Sequence, residues 1–208
     1  MSHHVSQQGQ LYIVAAPSGA GKTSLVTALL DAVPGIQVSI SHTTRPKRST
    51  EEDGVNYFFI DESDFLAMKA RGEFLESAEV FHHHYGTSKQ WVLETLSRGI
   101  DVILEIDWQG AQSIRELMAD TIGIFILPPS LEVLQSRLMG RKTDDLAVIA
   151  ERLAEATEEM SHYPEFDYLI VNDNFQEALA SLITIVHAAR LRTHIMVRTH
   201  HQVLDAFK

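Results

Sequence analysis

Ala16-Pro-Ser-Gly-Ala-Gly-Lys-Thr23 decides how this chain is read. An apolar, β-rich run, Leu11-Tyr-Ile-Val-Ala15, leads into it, and a helix-forming run, Ser24-Leu-Val-Thr-Ala-Leu-Leu-Asp31, follows. Strand, small-residue loop ending in Gly-Lys-Thr, then helix is the context of a phosphate-binding P-loop. Gly19 and Gly21 let the backbone curl until several N–H groups point at one anion. The start of the helix adds partial positive charge and unpaired donors. Lys22 supplies a full charge for the β- and γ-phosphates, and the Thr23 hydroxyl suits Mg2+. The P-loop pattern begins with Gly where Ala16 stands here, so the turn at residue 16 needs ordinary dihedral angles.

Outward from the loop, the pattern is one of alternation. Pro34-Gly35 makes a turn and Gln37-Val-Ser-Ile-Ser41 reads as a short strand. Residues 42–56 are polar and read as a loop, and Tyr57-Phe-Phe-Ile60 as a strand. Asp61 is placed to cap a helix from about Ser63 to Arg71, closed by Gly72. Phe74 to Phe81 alternates like a strand, and a helix runs from Lys89 to about Arg98. Asp101 to Ile106 and Ile122 to Leu127 are strands of the buried type, with a helix from about Trp108 to Met118 between them. Pro128-Pro129 ends the second strand. Helices near 130–139 and 145–160, a strand Tyr168 to Val171 and a helix over 175–192 complete the pattern. Such alternation predicts a parallel sheet with right-handed crossovers. The short, closely spaced strands between about 36 and 90 predict an insertion with a small mixed sheet.

Composition narrows the class. The chain has 208 residues, 45% of them hydrophobic, which suits one large domain or a core with insertions. No apolar run reaches the roughly 20 residues of a membrane span. Residues 1–9 are polar, with no signal-peptide core, and read as a disordered leader. Absence of cysteine excludes disulfides and thiolate metal sites and suits a cytoplasmic protein. A formal charge of −11 argues against nucleic acid and anionic membranes as partners. Positive charge is instead gathered locally, at Arg45, Lys47 and Arg48 and again at Arg137, Arg141 and Lys142.

Six runs in order resemble the guanylate kinase family: the P-loop, Ser41-His-Thr-Thr-Arg45, Tyr85-Gly-Thr87, Glu105-Ile-Asp-Trp-Gln-Gly110, Arg137-Leu-Met-Gly-Arg141 and Ile170-Val-Asn-Asp173. The resemblance, over about residues 9–192, implies an α/β P-loop core (residues 10–36, 91–135 and 163–192), a GMP-binding insertion (37–90) and a helical lid (136–162). Residues 193–208, polar and His-bearing, read as a tail that extends the last helix or frays. It implies Mg2+-dependent transfer of the ATP γ-phosphoryl to GMP or dGMP. Ala16, Pro17, Ser18, Gly19, Ala20, Gly21, Lys22, Thr23 and Asn172 would then meet ATP. The GMP phosphate would lie among Arg45, Arg48, Tyr57 and Tyr85, beside Gly86. Planar guanidinium donors and phenol hydroxyls are what a phosphate dianion takes.

The resemblance puts Glu76 on guanine N1–H and N2–H, with Ser41 and Thr87 near O6. A carboxylate accepts from both donors, and adenine lacks the N1–H and the O6. Asp107 would lie near GMP, and Glu105, in place of a more usual Asp, near the metal with Thr23. Arg137, Arg141 and Arg152, with Lys22 and Arg45, would neutralise the transferring phosphoryl group. From the residues alone, blander readings stand beside these. Arg45 and Arg48 also fit a solvated loop, Glu76 an outward strand position, Arg137 and Arg141 a helix surface, and Asp107 a helix cap. His82-His-His84 fits polar surface better than a metal site. A partner-binding domain without ATP chemistry, or a P-loop kinase with another acceptor, are the competing classes. Lys22-Thr23 opposes the first, and Glu76 with Ser41 and Thr87 the second.

Overall fold

The computed structural model describes residues 8–80, 82–139 and 146–207, with the backbone alone at 80 and 146–152. The expected leader is outside this range up to residue 7. Gly9 is already tied down, its N–H donating to the Leu96 carbonyl at 2.8 Å.

In chain order the elements are β1 (Leu11–Ala15), α1 (Lys22–Ala32), β2 (Ile36–Val38), β3 (His42–Thr43), β4 (Phe58–Phe59), α2 (Glu62–Ala70), β5 (Phe74–Val80), β6 (His83–Ser88) and α3 (Lys89–Ser97). Then come β7 (Asp101–Leu104), α4 (Trp108–Leu117), β8 (Ile122–Leu127), α5 (Leu131–Met139), α6 (Leu146–Ser161), β9 (Tyr168–Val171), α7 (Phe175–Arg190), α8 (Thr193–Thr199) and α9 (His201–Asp205).

Five strands form a parallel sheet in the order β2-β7-β1-β8-β9. β1 is central and buried along its whole length, as a parallel strand covered on both faces must be. Its side chains divide by the twofold alternation of a strand. Tyr12 and Val14 join Leu25, Leu29, Leu182 and Val186 of α1 and α7 in one core. Leu11 and Ile13 join Val92, Leu96, Ala111 and Ile114 of α3 and α4 in the other. At the amino edge, Asp101 accepts from the Gln10 N–H (2.7 Å) and from Arg190 Nε (2.8 Å), binding β1, β7 and α7 together.

Four strands form a second, mixed sheet, β4-β3-β6-β5. The expected strand 37–41 is split: Ile36–Val38 pairs with β7, and the chain then crosses to the second sheet at His42. The expected loop 42–56 therefore opens with a strand, because His42 and Thr43 are gripped from both sides by β4 and β6. Asp61 precedes α2 without a side-chain cap bond. The last long helix stops at Arg190, and residues 193–205 form two separate helices rather than its extension.

Candidate active site

The P-loop leaves the carboxyl end of β1, where open parallel sheets present their ligand crevice. Among the described residues the left-handed backbone angles lie at glycines, Gly19 (φ 91°) and Gly21 (φ 93°) included, with His82 the exception. Ala16 therefore keeps ordinary dihedrals, and its lost glycine costs the turn nothing. The loop is braced from beneath. Asn172 Nδ2 donates to the Ala20 carbonyl at 2.7 Å, and Arg137 donates to the Asn172 carbonyl at 3.1 Å. A Cβ on Gly21 would stand 2.5 Å from Asn172 Nδ2, on a backbone that L side chains avoid. Gly21→Ala should lower the melting temperature by several degrees, in line with a strain of about 1–3 kcal/mol. It should also raise the KM for ATP; a thermal melt and steady-state kinetics read both effects.

Opposite the P-loop stands the second sheet, and between them lies a cleft of about 920 Å3. Pro17, Ser18, Lys22 and Thr23 line one side, Ser41, Arg45, Arg48, Tyr57, Glu76 and Tyr85 the other, with Glu105 and Asp107 at the floor. Ala16, Gly19 and Gly21 line the P-loop side as well. Ala20 is fully buried, Asn172 is buried behind the loop, and neither they nor Arg137 line the cleft. Arg152 is in α6 with only its backbone described, and Arg141 lies outside the described residues.

Glu76 owes its place to a register shift in the β5–β6 ladder. Phe74 pairs with Ser88, yet Glu76 pairs with Thr87, so the chain gains a residue at Leu75 and Glu76 is turned into the cleft. Leu75 enters the α3–α4 core. The Thr87 hydroxyl, fully buried, donates to Glu76 Oε1 at 2.6 Å. Burial pushes the Glu76 carboxyl up to about 7, with Thr87 opposing the shift and the Asp107 charge adding to it. Gly110 leaves room for both acids, since a Cβ there would meet Glu76 Oε2 at 3.2 Å and Asp107 Oδ1 at 3.3 Å. Asp107 also caps α4, accepting the Gly110 N–H at 2.8 Å. One residue thus serves both readings.

On the basic side, Arg45 lies over the rings of Tyr57 and Phe59, 5.4 and 5.6 Å from their centroids. Tyr57 and Tyr85 meet edge to face at 5.9 Å, and burial raises the Tyr57 phenol. Arg45 is bonded to Glu51. His83 lines the cleft, while His82 sits in the β5–β6 turn and His84 stacks on Phe65. Among the described residues no group of three His, Cys, Asp or Glu side chains has metal-holding geometry.

Three features in and around the cleft are not legible in the sequence. Glu51 sits in Glu51-Glu52-Asp53, which reads as a solvated acidic loop. Glu159 lies in Glu158-Glu159 of α6, yet lines the cleft and is raised to about 7, mainly by burial, against the pull of Lys22 and the Ser18 N–H. Trp108 stacks on His162 with ring centroids 3.5 Å apart, joining α4 to the end of α6. A carboxylate beside a basic cluster is the signal that points to Glu51; the other two depend on long-range packing.

A P-loop at the carboxyl edge of a parallel sheet, facing arginines, tyrosines and a buried acid across one cleft, defines a nucleotide-dependent phosphotransferase scaffold. The family model described as guanylate kinase matches residues 8–189. The guanylate kinase of Coxiella burnetii is 56% identical over 197 residues, covering 95% of this chain and 96% of that protein. That of Hahella chejuensis is 60% identical over 188 residues, 90% of each. The crystal structure of guanylate kinase from Anaplasma phagocytophilum is similar with a TM-score of 0.76 at 33% identity, over 90% of this chain and 89% of that one. This chain belongs to the guanylate kinase family.

Proposed function

We propose that the chain transfers the γ-phosphoryl group of ATP to GMP or dGMP, releasing ADP and GDP or dGDP. The observation that carries this is one cleft with two unlike walls: P-loop amides and Lys22 on one, Glu76 with Thr87 and the arginine–tyrosine cluster on the other. The P-loop from Ala16 to Thr23 holds the donor phosphates, with Asn172 and Arg137 supporting it through Ala20. Glu76 accepts guanine N1–H and N2–H, and Ser41 and Thr87 stand by O6. Arg45, Arg48, Tyr57 and Tyr85, next to Gly86, hold the acceptor phosphate, and Asp107 lies near GMP. Lys22, Arg45, Arg137, Arg141 and Arg152 neutralise the charge that spreads over the transferring group.

Thr23 and Glu105 are the oxygen donors that suit Mg2+. Glu105 Oε1 is buried without a hydrogen-bond partner, and burial raises its carboxyl against the pull of Lys22, which fits a residue that receives a cation or its water. Bound Mg2+ would offset phosphate charge. The chain's own part is to hold both phosphates in line and keep water out. In this reading the second sheet and α2 form the acceptor-binding part (37–90), the end of α5 and α6 the lid (136–162), α8 and α9 the tail (193–208), and the remaining elements the core. We read the protein as cytoplasmic, the compartment that a cysteine-free chain suits; no helix among the described residues is long and apolar enough to cross a membrane.

The test is ADP release with ATP and Mg2+ and each nucleoside monophosphate in turn. Strong turnover with GMP and little with AMP, CMP or UMP is expected. Faster turnover with AMP, or none with any acceptor from a folded protein, would overturn the assignment.

A further inference from the structure

The proposed reaction makes no use of the joint where α6 rejoins the core. α6 ends at Ser161, and the chain passes through a short 3-10 turn, Tyr163–Glu165, before the Asp167 N–H donates to the Gly123 carbonyl of β8 at 3.0 Å. This turn is tied to α4 at several points. The imidazole of His162 lies flat on the indole of Trp108, with ring centroids 3.5 Å apart and planes 7° from parallel. Glu165 Oε2 accepts from Gln112 Nε2 at 2.9 Å. Arg115 donates to the Glu165 carbonyl and pairs with the Asp167 carboxylate. Trp108, Gln112 and Arg115 are spaced four and then three residues apart, so one face of α4 carries all of these ties.

The imidazole is fixed from a second side. His162 Nδ1 stands 2.6 Å from Glu165 Oε1. That bond holds the Glu165 carboxyl below the usual carboxylate range. An ionised carboxylate only accepts, so Nδ1 bears the hydrogen, and the ring cannot turn without losing both the bond and the stack.

The two rings belong to different parts of the cleft. Trp108 is the first residue of α4, next to Asp107, and lines the cleft. His162 directly follows α6, and its N–H donates to the carbonyl of Glu159, another cleft residue, at 3.2 Å. Along its length α6 meets α5 in a small apolar cluster, Leu153, Ala156 and Met160 with Leu134 and Leu138. Apolar contact is non-directional and leaves the tilt of a helix loosely specified. A flat aromatic stack with a hydrogen bond behind it specifies an orientation. The orientation counts most at a distance. Arg152 precedes His162 by ten residues, about 15 Å along a helix axis. A tilt of about 5° at His162 displaces that point by about 1 Å, enough to slow a group transfer severely.

We propose that His162, stacked on Trp108, is a positioning residue for phosphoryl transfer: the pair fixes the root of α6 to the floor of the cleft and so sets where the lid meets the P-loop. The inference rests on the reading of α6 as the lid. Neither side chain takes part in the chemistry itself.

The test is a double-mutant cycle on kcat with His162→Ala, Trp108→Leu and the two combined. Each single variant is expected to lower kcat about tenfold, and the combined variant no further than the slower single one. Equilibrium affinity of His162→Ala for GMP should change less than about twofold, and its melting temperature by only about a few degrees. His162→Phe keeps a ring on the indole and gives up the bond to Glu165, and it should recover most of the rate lost in His162→Ala. A lowered melting temperature with kcat unchanged is what a merely structural stack would give, and it overturns the proposal. Effects that multiply in the combined variant overturn it too, as does a His162→Phe rate no better than that of His162→Ala. If Trp108→Leu does not fold, the comparison of alanine with phenylalanine at 162 decides. Arg152→Ala separates the two levels of the argument. Full activity in Arg152→Ala would mean that α6 is not the lid, and the proposal falls with that reading. A slow Arg152→Ala beside a fully active His162→Ala would overturn the joint alone.

Discussion

Lys22→Ala is expected to lower the turnover of ATP with GMP by about a thousandfold, with the fold intact. Removing one preorganised charge or donor from the transition state of a group transfer commonly has an effect of this order. Here the effect is compounded by the surroundings. Lys22 is the cation whose field opposes the raised carboxyl groups of both Glu105 and Glu159. Its loss leaves two acids in the cleft beside the P-loop with less positive charge near them. The side chain lines the cleft and is not part of either core, so thermal stability should change little. The measurement is the ADP-release rate at saturating ATP and GMP, set beside a melting curve. A rate within a few-fold of the unaltered protein would remove the P-loop lysine from the chemistry.

Glu76→Gln is expected to weaken GMP binding at least ten- to a hundredfold, the equivalent of about 1–3 kcal/mol for a buried polar mismatch. The glutamine presents one acceptor where guanine offers two donors, and its NH2 opposes the second. The acid itself predicts a pH profile. In the empty protein Glu76 is raised to about 7, and in the proposed reading guanine is bound by the ionised form. Affinity should therefore fall as the pH drops below about 7, approaching tenfold per unit, and the glutamine variant should lose that dependence. Guanosine in place of GMP removes the titration of the phosphate from the profile. The sign for stability is opposite. A carboxyl with its folded value above the ordinary 4.5 binds its proton more tightly when folded, so its contribution to stability falls as the pH rises from 4.5 to about 7. Guanine binding offsets that cost. A flat affinity profile across pH 7 in the unaltered protein would mean that the base sits elsewhere.

The parallel core was legible because its strands are short apolar runs bounded by turn residues, and the P-loop because glycines and Lys-Thr occur where only that geometry needs them. The second sheet was less so. His42–Thr43 has two residues and no hydrophobic pattern, and it becomes a strand only because β4 and β6 close on it from either side. The β5–β6 ladder looks like plain alternation, yet the extra residue at Leu75 decides which side chain enters the cleft, and periodicity does not reveal that shift. Asn172 is the instructive case. Its motif points to the nucleotide, while its side chain lies beneath the P-loop on the Ala20 carbonyl, a placement set by β9 lying beside β8 at the edge of the sheet. Glu51 and Glu159 belong to acidic runs whose composition reads as solvent-facing. Their partners, Arg45 and the P-loop, are fixed by tertiary structure.

The central position of β1 has a consequence for how the chain comes into being. Leu11 is among the first residues of the fold to leave the ribosome, but its neighbour in the ladder is Val102, and Tyr12 must also wait for Ile122. At synthesis rates of roughly 5–20 residues per second, the apolar run 11–15 goes unpaired for on the order of 5–20 s. The β5–β6 hairpin closes across a short turn and needs nothing made later. The second sheet is thus placed to form during translation, before the strand that carries the P-loop finds its neighbours. The segment most exposed to misassociation in the nascent chain is the one that ends up most completely enclosed, and crowding or a slowed ribosome should penalise this protein there first.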